Sequence, residues 1–297
     1  MRRSPLLAFG IMGVSALALT GCQTAEATAD DTTITIATIP LGEDPTQANP
    51  IDALVELLEA ETGYTVEVTD VPDYLSVVEA IRADHVDMGI MSGFPSALAV
   101  NTGEVDALLA WEGSEDPVST CVVLNDSPVQ ELTDLEGKTV AFADQASSSG
   151  YFMPVHMLHE TGLEQGTDYE AIFAGGHEGS FAALEQGQVD AACTSIMLTE
   201  LGAPMFPFAD GEWRGVGESA PMPVMGSVLG SPELSDEKRT VIQDAIQAVF
   251  VEENAEALGA LGSGFIGLPV SVDPEPSVFD GFVEIAGVAG VQLEDLE

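Results

Sequence analysis

Basic side chains are almost missing from this sequence: 7 Lys and Arg stand against 50 Asp and Glu over 297 residues. Two of the seven, Arg2 and Arg3, sit at the N-terminus, which leaves Arg82, Lys138, Arg214, Lys238 and Arg239 for the rest. A formal charge of −43 repels nucleic acid phosphates and anionic lipid heads, so nucleic-acid binding is excluded. The acidity reads as a solvated shell that keeps the protein soluble, salty surroundings included, with cation binding as the sharper alternative. Cysteine is scarce as well, at three residues, and no Cys-x-x-Cys pair occurs. Beyond residue 19 no second long apolar run is found. There is no Gly-x-Ser-x-Gly elbow and no P-loop, and Gly215-Val216-Gly217 lacks the strand-turn-helix context of a dinucleotide fingerprint. No cofactor is expected.

What is present begins with a leader. Arg2 and Arg3 precede an uncharged apolar stretch over 6–19, followed by Leu19-Thr20-Gly21-Cys22. The run is too short and wrongly flanked for a membrane-spanning stop, so it reads as a secretion signal. Small residues before a Cys resemble the lipobox of bacterial lipoprotein signals, in which the thiol is lipidated and the chain is cut before it. The expectation is a signal over 1–21, a lipidated tether over 22–31 joined to the membrane through Cys22, and an extracytoplasmic location. Cys121 and Cys193 then remain in a compartment that permits disulfides. The residues alone leave open whether they are bridged or are two buried free thiols. Residues 22–297 are too many for one small core and suit two lobes.

The pattern along the chain alternates strand-like and helix-like segments, which predicts an α/β class with mostly parallel sheets. Strands are expected near 33–39, 64–69, 86–91, 120–124, 139–142, 171–174 and 189–194. Helices are expected near 50–62, 73–83, 150–161, 180–186, 231–250 and 278–286, with a break over 262–267 and an extended segment over 269–276. One stretch is echoed: AIRADHVD over 80–87 resembles ALEQGQVD over 183–190. Each ends a helix, turns tightly and opens a small-residue strand with Val-Asp, as two similar lobes would.

The most informative stretch follows the strand at 139–142. Three hydroxyls, Ser147, Ser148 and Ser149, precede Gly150-Tyr151 and a helix. Side-chain donors beside unpaired backbone N–H groups and the positive end of a helix dipole suit a tetrahedral oxyanion, although capping alone needs one Ser. A second strand-to-helix turn, FAGGHEGS over 173–180, brings His177 to the same carboxyl edge of a doubly wound sheet, where an imidazole can donate to an anion.

VAFADQASSSGYFMPVHMLHETGL and FAGGHEGSFAALEQGQVDAA together resemble the phosphate, phosphite and phosphonate-binding proteins of ABC importers, the PhnD-like family. The likeness is strong over 137–192, fainter over the N-terminal part, and barely visible after 200. It implies a two-lobed α/β periplasmic-binding fold of the second type, each lobe a mostly parallel sheet flanked by helices, with two hinge crossings. The first lobe would cover 32–116 plus 220–297 and the second 117–219. It further implies a monomeric, non-enzymatic capture protein that holds its ligand between lobes and delivers it to a membrane permease. Ser147, Ser148, Ser149 and His177 would contact the oxyanion, with Tyr151 beside them and Tyr74 closing from the first lobe. In the sheet order of this fold Cys121 and Cys193 are neighbours, which favours a disulfide.

The departures bear on the ligand. Met91-Ser92-Gly93-Phe94 stands where the family has a ligand-lining residue. No acid follows the Val-Asp-Ala-Ala strand before Glu200, and Pro223-Val224-Met225-Gly226 lacks an Asp found in relatives. Aminoethylphosphonate is thereby disfavoured, and Met91, Met197 and Met225 would suit an apolar or methylated substituent if they line the cleft. Two readings from other classes remain: a metal receptor using His156, His159 and nearby Glu160, and a hydrolase using one of Ser147–Ser149 with His177.

Overall fold

Alternating β-branched residues make TITIAT into strand β1 (Thr33–Thr38), with Ile34 and Ile36 buried. The computed structural model describes residues 32–39, 49–203 and 205–291, so the expected signal, tether and Cys22 lie outside the described residues. After β1 come α1 (Pro50–Thr62), β2 (Thr65–Asp70), α2 (Tyr74–Arg82), β3 (Met88–Ser92), α3 (Gly93–Asn101) and β4 (Asp106–Glu112). The chain then builds a second sheet from β5 (Ser119–Leu124), β6 (Thr139–Phe142), α4 (Met153–Glu160), β7 (Glu170–Phe173), α5 (His177–Glu185), β8 (Ala191–Ser195), α6 (Ile196–Leu201) and β9 (Trp213–Val216). It returns through β10 (Val224–Gly230), α7 (Asp236–Val249), α8 (Ala255–Phe265), β11 (Val270–Val272) and α9 (Phe282–Val288).

Among the described residues the first sheet has the order β11-β4-β10-β3-β1-β2 and the second β7-β6-β8-β5-β9. Both are mixed. The strands joined through helices pair in parallel, β1 with β2 and β3, and β6 with β7 and β8. The first strand after each crossing, β5 or β10, is antiparallel to both of its neighbours. Helical crossovers keep consecutive strands parallel, whereas a strand arriving from the other sheet enters from the opposite end.

The echo seen in the sequence has a physical basis. Asp87 N–H donates to the Thr35 carbonyl at 3.0 Å, and its carboxylate accepts from Thr35 N–H at 2.7 Å and from the Thr35 hydroxyl at 2.9 Å. Asp190 repeats the device, donating to the Thr139 carbonyl at 2.9 Å and accepting from Thr139 N–H at 3.0 Å. Each Val-Asp clamps the start of the parallel strand beside it. Asp87 is further paired with Lys238 Nζ at 2.7 Å, with both side chains largely buried.

The two crossings lie against each other. Ser219 Oγ accepts from Val118 and Ser119 N–H at 3.3 and 3.1 Å, and Gly113 N–H donates to the Pro223 carbonyl at 3.0 Å. A Cβ at Gly113 would meet the Met222 carbonyl oxygen at 1.6 Å, so no larger residue fits there. Cys121 and Cys193 are direct cross-strand partners on β5 and β8 and are joined by a disulfide.

Helix α3 escaped the sequence reading because residues 93–100 are all buried, which removes the polar face that periodicity detects. Helix α8 was missed too, and it runs into the expected break. Its interruption falls at Gly259, at φ 51° and ψ −121°, rather than in 262–267.

Asp87→Ala would leave Lys238 unpaired and Thr35 N–H without its acceptor. A loss of about 2–4 kcal/mol is expected in urea unfolding. A loss within about 0.5 kcal/mol, typical of an unremarkable surface change, would contradict this account of the clamp.

Candidate functional site

The second-sheet half grows from the end of β6. Asp144 Oδ1 accepts from Ala146 N–H at 2.7 Å, turning the chain, and Ser147 Oγ accepts from Gly150 N–H at 3.1 Å as an N-cap. One π-helical turn, Ser148–Phe152, then leads directly into α4. Ser119 at the start of β5 supports this turn by donating its hydroxyl to the Ser149 carbonyl at 2.9 Å. His177 opens α5, with Nδ1 2.8 Å from the buried Thr194 hydroxyl on β8. A Cβ on Gly150 would fall 2.9 Å from both His177 Cε1 and Ser147 Oγ, so glycine lets the serine turn and the imidazole approach each other.

The first-sheet half meets it from β3 and α3. Ser148 Oγ, fully buried, accepts from Phe94 N–H at 2.7 Å and donates to Ser92 Oγ at 3.0 Å. The Phe94 ring stacks on Phe152 and meets Phe282 edge-on, which makes an apolar floor shared by both sheets. Tyr74, the first residue of α2, comes close to Ser92 and Asp144. Burial raises its phenol pKa, hydrogen bonding with Ser92 opposes that, and the Asp144 charge adds to it. The Asp144 carboxyl is itself raised, first by burial against the opposing Ala146 N–H, and then by Asp73.

The structure thus brings together Tyr74, Ser147, Ser148, Ser149 and His177. It adds Ser92, the Phe94 amide, Ser119 and Thr194, which sequence reasoning had not assigned. The one signal for the first two was Ser-Gly-Phe after a Val-Asp strand, a second strand-to-helix turn like that at 147–150. Tyr151 is not among the group: its hydroxyl donates to Gln165 Oε1 at 3.2 Å, and its ring packs on Phe142, Phe152 and Phe173. Met91 is core, 1 % exposed. Met225 packs against the core, and Met197 lies near Gly264 of α8, its sulfur 4.0 Å from where a Cβ there would be.

No lysine or arginine reaches this group, because each one among the described residues is engaged elsewhere. Arg82 pairs with Glu79 and Glu104, Lys138 with Asp190, Lys238 with Asp87, and Arg239 with Asp106 and Asp273. Arg214 donates to the carbonyls of Asn125, Ser127 and Val129, pinning the loop after β5. The donors at the site are therefore hydroxyls, amides and one imidazole. Burial pushes the His177 pKa down to about 4, so the ring is neutral at pH 7. His156 and His159 face Glu160 and Glu164 respectively, at 3.7 and 2.8 Å, and among the described residues no group of three His, Cys, Asp or Glu is arranged to hold a metal ion.

Two mixed α/β sheets linked by two crossings, with a strand-to-helix turn of each meeting at one polar group, define a two-lobed periplasmic binding protein of the second type. The chain belongs to the family of periplasmic substrate-binding proteins of phosphonate ABC transporters, whose sequence model matches residues 36–268. It is 30% identical over 241 residues, 74% of either chain, to the phosphate-import protein PhnD of Mycolicibacterium smegmatis. It is 29% identical over 142 residues to the phosphonates-binding periplasmic protein of Escherichia coli, covering 46% of this chain and 42% of that one. Among solved structures, PhnD1 of Prochlorococcus marinus in complex with methylphosphonate is similar in fold, with a TM-score of 0.70 and 16% identity over 86% of this chain and 98% of that one. A binding-protein component of an ABC phosphonate transporter from Pseudomonas aeruginosa gives 0.72 and 18% over 88% and 87%. No helix among the described residues is long and apolar enough to cross a membrane.

The lowered His177 pKa has a definite pH signature. The unfolded chain takes up this proton near the ordinary value of 6.5 and the folded protein only near 4, so stability rises with pH across that window and is flat above it. Urea unfolding at steps from pH 4 to 7 should show a steeper rise for the natural protein than for His177→Gln. Parallel curves would contradict the assignment.

Proposed function

We propose that this protein is the lipid-anchored, extracytoplasmic capture component of an ABC importer and takes up a phosphorus oxyanion, phosphonate, phosphite or phosphate, between its two lobes. The lobes of this reading are 32–116 plus 220–297 and 117–219, and Cys22 carries the lipid. The observation that carries it is the meeting of Ser148 with the Phe94 amide and Ser92. A serine oxygen there accepts from a helix-start N–H and sits beside two further serines and a neutral imidazole. That is the donor set an anionic oxygen would use. On capture, the ligand oxygen would take the place of the Ser148 oxygen at Phe94 N–H, and all the hydroxyls would turn toward it. The protein would then act as a monomer, deliver the closed complex to a permease and perform no turnover. A hydrolase would need an acid to orient His177, and its Nδ1 partner is a threonine hydroxyl.

A thermal-shift series with phosphate, phosphite, methylphosphonate, aminoethylphosphonate and sulfate tests the reading. At a hundredfold excess over Kd a true ligand adds roughly 2.7 kcal/mol of stability. One or more phosphorus oxyanions should produce the shift, and His177→Ala should abolish it. Silence across the phosphorus compounds would refute the proposal.

The shell of charge supplies a second test. With a formal charge of −43 the protein repels an approaching anion, and salt screens that repulsion. Stopped-flow association should accelerate as ionic strength rises. A rate that falls with salt would point to cationic steering, which this site has no residues to provide.

A further inference from the structure

His177 is placed to donate to an anion only if the proton of its neutral ring is on Nε2, and nothing in the imidazole itself enforces this. The Thr194 hydroxyl, on β8, lies 2.8 Å from Nδ1. Thr194 is fully buried, and among the described residues its oxygen has no other hydrogen-bond partner. Two arrangements are possible. If Nδ1–H donates to the threonine oxygen, the threonine proton is left buried with no acceptor. If the threonine donates to Nδ1, its proton is satisfied, and only acceptor lone pairs go unused. A buried unpaired donor is the costlier outcome.

We infer that Thr194 is a positioning residue that fixes His177 as the Nε2–H tautomer, so the ring presents a donor, without charge, to an unprotonated ligand oxygen. The inference rests on the oxyanion reading above and deepens it. It assigns what His177 meets on the ligand: an oxygen that accepts its proton, not a P–OH that donates one. Sulfonate and phosphonate oxygens look alike to such a donor, so discrimination between them has to come from other residues of the site. Thr194 is held in place by two links to β5. Thr120 is its ladder partner on β5, and the adjacent Cys193 is bonded to Cys121, so the hydroxyl is carried on two cross-linked strands. Fixing the partner of one ring nitrogen to define the role of the other is the general way proteins orient histidines.

The test uses nitrogen NMR of the His177 ring in the unliganded protein, together with calorimetric titration by methylphosphonate and by phosphate at pH 7. In the natural protein Nδ1 should resonate as an unprotonated nitrogen and Nε2 as a protonated one. Thr194→Val should move both signals toward tautomer-averaged positions and, because the ring also loses the partner that orients it, weaken anion binding tenfold or more. Thr194→Ser, which keeps the hydroxyl, should stay within about threefold of the natural protein. A protonated Nδ1 in the natural protein overturns the inference, whether or not any anion binds. So does unchanged affinity in Thr194→Val. Absence of binding by the natural protein, with the nitrogen shifts as expected, would instead strike the oxyanion reading and leave the role of Thr194 standing.

Discussion

Every lysine and arginine among the described residues is engaged away from the polar group, four in ion pairs and Arg214 with backbone carbonyls, so an anion held there must be held by dipoles. Those dipoles have to be assembled from places where backbone N–H groups are unused, and the starts of helices after strands are such places. The fold supplies two that face each other, at 147–150 from one sheet and at 92–94 from the other. Ser148 closes the pair by accepting from Phe94 N–H. Burial, with no cation nearby, keeps the imidazole neutral. With its pKa near 4, His177 contributes a directed N–H and no field of its own.

Directed donors are useful only when they are held still. The supports here are layered beneath the polar group. Ser119 on β5 fixes the Ser149 carbonyl, Thr194 on β8 holds His177, and β5 and β8 are cross-linked by Cys121 and Cys193 between them. Below the first-sheet half, the Asp87 clamp fixes β1 against β3 and takes up one of the few cations. The stacked Phe94 and Phe152 rings join the two halves on their apolar side. The acidic exterior therefore asks little of the site, because no contact in it depends on a mobile charged side chain.

Much of this was legible in the sequence, for reasons that can be named. The serine run before Gly150 and the His after Gly175-Gly176 stand out because each follows a strand and opens a helix, and their chemistry does not depend on distant contacts. The Val-Asp echo was legible too, although its purpose, a clamp on the parallel neighbour, required the register of β1 with β3 and of β6 with β8. Ser92, the Phe94 amide and Thr194 were not assigned. Their roles arise from pairs 54, 56 and 17 residues apart, and an amide carries no side-chain signal. Tyr151 fails for the opposite reason. Its place in the motif suggests a ligand contact, but the π-helical turn commits its hydroxyl to Gln165. The fully buried α3 left no periodic face to read, and Met91 is core in the strand before it.

The most direct test of the account is a backbone and His-ring nitrogen-proton correlation spectrum recorded while phosphate and then methylphosphonate are added. The account expects the Phe94 amide and the His177 Nε2–H to shift together and saturate at one ligand per chain, since both would exchange their present surroundings for ligand oxygens. Saturable binding that moves other amides while both of these stay in place would contradict it.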